Sequence, residues 1–91
     1  MSVDYRDLPL HMQDAAREYV EHGQPPGGFF RYVLENRLAE ACRHADNTNI
    51  HYMREWANWL YGECPIPAWG SPAEVDEWIN KHAAKRAEGK P

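Results

Sequence analysis

The sequence predicts an all-α fold, a compact domain of four helices with short connections that assembles into an oligomer. Apolar residues recur every three or four positions along most of the chain, and no stretch alternates with a period of two. Clusters of proline and glycine separate these periodic stretches. A length of 91 residues suits one domain. Within it we expect an extended lead-in over residues 1–7 and a frayed polar tail over residues 84–91.

The first helix is expected to begin near Pro9, because a proline in the first turn of a helix loses no hydrogen bond. Gly23 suits the left-handed position that follows the last turn. Two prolines then separate this helix from the next, which opens with two glycines. The apolar face of the first helix is predicted to consist of Leu8, Met12, Ala15, Ala16, Tyr19 and Val20.

The second helix is expected to be the longest and to run without a break from Gly28 to Ala45. Cys42 falls on its apolar face, which predicts a buried free thiol. Neither cysteine belongs to a C-x-x-C pair and no secretory signal is present, so we expect reduced thiols and a cytoplasmic protein. The apolar face is predicted to hold Phe30, Val33, Leu34, Leu38, Ala41, Cys42 and Ala45.

The third and fourth helices begin at polar turns. Asp46 or Asn47 is expected to cap a helix that runs roughly from Thr48 to Tyr61. Ser71, with Pro72 after it and Glu74 at the third position, predicts a capping box at the start of the last helix. The buried face of that helix is expected to hold Val75, Trp78, Ile79 and His82.

Charge and hydropathy exclude some classes of partner. The net charge is −4, whereas proteins that bind duplex nucleic acid usually carry a basic patch. The basic residues concentrate only in the tail, between Lys81 and Lys90, so nucleic acid is disfavoured. No apolar run approaches the roughly 20 residues that span a bilayer, so no membrane association is expected. Asp46, Asn49 and His51 do not have the spacing of a calcium loop, and we predict no metal and no cofactor.

Two stretches suggest a binding site for a ligand. Gly27 and Gly28 open a helix, where free N–H groups and the nearby Arg31 would suit an anion, although a plain turn between helices is the alternative. Arg37, beside Asn36, lies at the border of the apolar face, where it could extend to water or pair with a carboxylate or phosphate. The many aromatic residues either fill the core or form a stacking wall or a subunit contact. The predicted wall consists of Tyr52, Trp56, Trp59 and Trp69.

Five short stretches carry a resemblance to a known group of proteins: D-Y-x-x-L-P, P-G-G-F-F-R-Y-V-L-E-N-R-L, A-D-x-x-N, W-L-Y and W-G-S-P. Over about residues 4–80 the chain resembles small proteins of tailed phages and prophages. The pattern of that family has an aspartate where this chain has Arg37, so no role carries over to this position. The resemblance implies expression in the cytoplasm of an infected bacterium and implies no particular mechanism.

Two hypotheses about function follow. An enzyme would need a nucleophile with a base, paired carboxylates or a metal cluster at a diagnostic spacing, and none is evident, so we expect no catalytic activity. The first hypothesis is a homo-oligomeric protein that sequesters a nucleotide-derived signal of bacterial immunity, by analogy with other small helical phage proteins. The second is a protein that inhibits or adapts a host or phage protein through its aromatic surface. DNA regulation through the last helix and the basic tail is disfavoured by the negative charge.

Overall fold

The computed structural model describes residues 3–88, and these residues form a compact, all-helical fold without a strand. The predicted fold class is therefore confirmed. The number of helices differs from the four expected, because two of the predicted helices are divided. In chain order, the described elements are α1 (Leu10–His22), α2 (Gly28–Leu34), α3 (Leu38–His44), α4 (Asn47–His51), α5 (Met53–Gly62), a 3-10 turn (Ile66–Ala68) and α6 (Pro72–Glu88). None of these helices is long and apolar enough to cross a membrane.

The predicted second helix is interrupted between α2 and α3. Asn36 has a φ of 63°, a left-handed conformation that asparagine adopts more readily than most residues. The N–H groups of Asn36 and Arg37 donate to the carbonyls of Val33 and Tyr32, at 3.1 and 2.9 Å, which is the pattern of a Schellman helix end. The prediction of one continuous helix from residue 28 to residue 45 is wrong. The apolar spacing continues through the interruption, so spacing alone does not reveal it.

The interruption changes which residues of α3 are buried. Ala41 is buried as predicted, but Leu38 and Cys42 are exposed. The predicted buried thiol at Cys42 is therefore wrong. The buried cysteine is instead Cys64, and its burial raises the pKa of the thiol to about 12.

We expect the two cysteines to differ sharply in their reaction with a thiol reagent, because the thiolate is the reactive species. At pH 8 the native protein should release one equivalent of chromophore from an aromatic disulfide reagent, and mass spectrometry should place the label on Cys42. The second equivalent, from Cys64, should appear only in denaturant. Equal labelling of both residues in the native protein would contradict the burial of Cys64.

The helix termini follow the local sequence closely. Gly23 has a φ of 67° and its N–H donates to the carbonyl of Tyr19 at 2.9 Å, so its predicted role at the end of α1 is confirmed. Asp46 caps α4 as predicted, because its Oδ1 accepts the N–H of Asn49 at 2.7 Å. Ser71 caps α6 by accepting the N–H of Glu74 at 3.3 Å. The predicted third helix is divided into α4 and α5 at Tyr52.

Residues at both ends of the described chain take part in the fold. In the lead-in Tyr5 is buried, and its ring centroid lies 6.0 Å from that of Trp59. The indole N–H of Trp59 also donates to the carbonyl of Asp4 at 3.0 Å, so residues 4 and 5 pack onto the core. At the other end, α6 continues to Glu88 through much of the predicted frayed tail. Residues 1, 2 and 89–91 lie outside the described part of the chain.

The core is built around aromatic rings. Trp56 is 1% exposed, and the ring centroids of Phe29, Phe30 and Trp59 lie 5.3–6.0 Å from its own. Its indole N–H donates to Oδ1 of the buried Asn49 at 3.1 Å, which joins α5 to α4. Most of the aromatic excess in the sequence is therefore core.

Candidate functional site

The candidate site is a groove of about 150 Å³ between α3 and α5, with Trp69 also in its lining. We call it the α3–α5 groove. The buried Trp56 and Leu60 belong to its lining, together with exposed residues of both helices. Its eleven lining residues are Val33, Asn36, Arg37, Leu38, Ala41, Met53, Trp56, Ala57, Leu60, Tyr61 and Trp69.

Two large side chains of the groove are open to solvent. Leu38 is 70% exposed and Tyr61 is 82% exposed. The ring of Tyr61 meets the half-buried ring of Trp69 edge to face, with 5.1 Å between their centroids. Single exposed apolar residues are common on soluble proteins, whereas a contiguous group beside a concavity is typical of a contact surface.

Tertiary hydrogen bonds hold the loop that carries Trp69 in place. The N–H of Gly70 donates to the carbonyl of Leu34 at 2.8 Å, which fixes the chain next to Trp69 against the end of α2. The hydroxyl of the buried Tyr19 donates to the carbonyl of Ala68 at 2.6 Å, on the other side of Trp69. The loop that carries this indole is therefore anchored to both α1 and α2.

The one charged side chain among the described residues that line the groove is a cation, Arg37. The side chain of Arg37 is 50% exposed, and its Nε lies 3.6 Å from Oε1 of Glu35, beyond a normal hydrogen bond. Asn36 is exposed beside it. None of the described residues that line the groove is acidic. The site thus combines an apolar floor with a rim that suits hydrogen-bond acceptors.

The groove brings together four of the predicted ligand residues, Asn36, Arg37, Trp56 and Trp69. Trp56 is only 1% exposed, so little of its surface is open to a ligand. Trp59 does not belong to the site, because it is 2% exposed and its ring packs inside the core. Tyr52 is partly exposed at the junction of α4 and α5, outside the groove. The predicted stacking wall of Tyr52, Trp56, Trp59 and Trp69 is therefore not a single exposed surface.

The predicted anion site lies elsewhere and lacks its cation. Gly27 and Gly28 border a separate concavity that also contains Asp46, a carboxylate. Arg31 binds Oε2 of Glu35 at 2.8 Å and Oδ1 of Asp76 at 2.6 Å. Burial by itself lowers the pKa of the Arg31 guanidinium. The hydrogen bonds that Arg31 donates to Glu35 and Asp76 outweigh this effect and raise its pKa. Because two carboxylates already neutralise Arg31, this geometry does not support its role with Gly27 and Gly28, which stays a prediction.

The residues considered for a metal have structural roles. Oδ1 of Asp46 caps α4, and its Oδ2 lies 2.9 Å from Nε2 of His11 on α1. The hydrogen bond from the N–H of Asn49, and after it His11, lowers the pKa of Asp46. Among the side chains of residues 3–86, no three histidine, cysteine, aspartate or glutamate side chains form a group that could hold a metal ion.

Sequence reasoning missed Leu38, Ala57 and Tyr61 as groove residues. Leu38 was expected in the core because the helical spacing appears unbroken through residue 36. Tyr61 did carry a signal, since it falls off the apolar face of its helix. Nothing in the sequence indicated that Trp69, which lies in a loop, would line the same groove as residues of α3 and α5.

Comparison of the chain with protein-family models, with curated proteins and with solved structures gave no match. The resemblance to small phage proteins stays a prediction. Function is therefore inferred from the geometry and chemistry of the α3–α5 groove.

Proposed function

We propose that this protein is a non-enzymatic binding protein that inhibits or adapts a partner protein, and that the α3–α5 groove receives an apolar side chain of that partner. The observation that carries the proposal is a concave apolar site flanked by two exposed side chains, Leu38 and Tyr61. Protein interfaces concentrate their binding energy in such sites, where an anchor residue fills a pocket.

The size of the groove favours a single side chain over a nucleotide. A cavity of about 150 Å³ can hold one benzene ring. Sites for larger small molecules usually measure about 300–1,000 Å³. At about 150 Å³, the groove fits one leucine or aromatic side chain better than a base with its sugar and phosphate.

A nucleotide-derived signal is the second candidate occupant. Trp69 and Tyr61 offer ring edges, and Arg37 offers one cation, which together support this hypothesis. Two of its original supports are weaker, since Trp59 is buried and Arg31 is held by carboxylates. A homo-oligomer in the cytoplasm of an infected bacterium remains part of the proposal for either occupant.

A matched pair of leucine substitutions tests the groove. Leu38 and Leu10 each occupy the first position of a helix and are 70% and 83% exposed, but only Leu38 lines the groove. An aspartate is favourable at the start of a helix, so both Leu38→Asp and Leu10→Asp should fold. In quantitative pull-downs from lysate of phage-infected bacteria, we expect a stoichiometric partner protein on the wild type and on Leu10→Asp. Capture by Leu38→Asp should fall at least tenfold.

Circular dichroism of both variants and native mass spectrometry of the wild type complete this test. Equal loss of the partner in both variants, with native folding, would show that the groove does not select it. A bound molecule of nucleotide mass that the wild type retains and Leu38→Asp lacks would show that the groove binds a nucleotide signal. That result would contradict the proposal of a protein partner.

A further inference from the structure

We infer that the partner segment bound in the α3–α5 groove carries a carboxylate within about four residues of its apolar anchor. This inference rests on the proposed function and specifies the chemistry of the partner. It follows from two donors at the rim, Arg37 and Trp69, and from the lack of any acid among the lining residues that the structure describes.

The contrast between Arg37 and Arg31 shows that Arg37 has capacity for a ligand. Both lie near Glu35, whose side chain is only 7% exposed. Arg31 donates one hydrogen bond to Glu35 at 2.8 Å and a second to Asp76 at 2.6 Å. Arg37 receives only the 3.6 Å ionic contact with Glu35, and its guanidinium donates no hydrogen bond to residues 3–86. An exposed guanidinium with open donors suits a carboxylate, which it binds through two parallel hydrogen bonds.

The indole of Trp69 supplies a second open donor. The other three indole N–H groups donate to Asn49, to the carbonyl of Asp4 and to the carbonyl of Tyr19. That of Trp69 has no acceptor in the described part of the chain. Because no buried side-chain nitrogen or oxygen there lacks a partner, this N–H is open to solvent. A buried indole N–H would need an acceptor once a partner covers it, and a carboxylate or carbonyl provides one.

The charge of the whole chain makes this rim selective. The net charge is −4, so the chain as a whole repels an acidic segment at long range. At the groove such a segment meets Arg37 and no lining carboxylate. Attraction to Arg37, combined with repulsion by the net negative charge, favours one orientation of an acidic partner and disfavours other docking sites. An anchor and a carboxylate three or four residues apart on a helix lie about 5–6 Å apart, which suits a groove and its own rim.

Selection from a displayed library of random 12-residue peptides tests the inference. The baits are the full-length wild type, Arg37→Glu and the control Arg54→Glu, which changes an exposed arginine of α5 outside the groove. The wild type and Arg54→Glu should enrich peptides with a leucine or aromatic residue within four positions of Asp or Glu. Arg37→Glu should enrich Lys or Arg beside the same kind of anchor.

A double-mutant cycle with one selected peptide measures the interaction between Arg37 and the acidic residue of the peptide directly. Replacing its acid by the matching amide should weaken binding to the wild type about tenfold and leave binding to Arg37→Gln unchanged. Enrichment of apolar anchors without acids would overturn the carboxylate while the proposed groove stands. Selected peptides that bind Leu38→Asp as well as they bind the wild type would overturn the proposed function itself. A homo-oligomer that forms in the wild type and dissociates in Leu38→Asp would show that the groove binds a second copy of this chain. That result would overturn the inference of an acidic partner segment.

Discussion

Replacement of Trp56 by alanine is expected to lower the free energy of unfolding by about 3–5 kcal/mol, as is usual for a fully buried tryptophan. Its ring is 1% exposed and contacts Phe29, Phe30 and Trp59 at the centre of the core. Because native proteins are stable by only about 5–15 kcal/mol, a large fraction of the stability would be lost. Urea denaturation followed by far-ultraviolet circular dichroism measures the loss.

Two further variants separate the causes of this effect. Trp56→Phe keeps a ring but leaves Oδ1 of the buried Asn49 without its donor, and such an unsatisfied group costs about 1–3 kcal/mol. Trp69→Ala removes a half-buried indole at the groove and should cost clearly less than Trp56→Ala. Equal losses for the two alanine variants would contradict the central position of Trp56.

Replacement of Gly23 by alanine should also have a large effect, of about 2–5 kcal/mol. Gly23 has a φ of 67°, and a residue with a side chain pays about 1–2 kcal/mol for this left-handed conformation. A Cβ built at Gly23 would lie 2.3 Å from the Cβ of His82 on α6. The Cβ of His82 cannot rotate away, so α1 or α6 must move, at a cost of about 1–3 kcal/mol.

The expected drop in the midpoint of thermal unfolding is about 10 °C or more, since each kcal/mol shifts it by about 4–8 °C in a domain of 60–100 residues. The control is Gly28→Ala, where no atom lies within 4 Å of the new Cβ. That variant should unfold within a few degrees of the wild type. A midpoint for Gly23→Ala as close to the wild type as that of the control would show that α1 and α6 do not meet at Gly23 as described.

Three helix ends were predictable from the sequence because each depends on neighbours within one turn. Asp46 and Ser71 cap helices through bonds to N–H groups three residues ahead, and Gly23 ends α1 because its own backbone adopts a positive φ. Of the apolar face predicted for α1, Ala16, Tyr19 and Val20 are buried, whereas Ala15 is exposed. The three helix ends require no knowledge of distant parts of the chain.

The groove depends instead on contacts between distant residues. The turn at Asn36 leaves the apolar spacing intact while it redirects the chain, and this exposes Leu38 and Cys42. The sequence does not distinguish an arginine that is bound by two carboxylates from one that is not. Arg31 pairs with Glu35 and Asp76, whereas Arg37 lies 3.6 Å from a single carboxylate oxygen of Glu35. The sequence by itself determined the all-α class and the helix ends at Gly23, Asp46 and Ser71, since those interactions are local. Only the tertiary structure decided which aromatic rings are core and which residues meet at the groove, because these are set by packing between helices far apart in the chain.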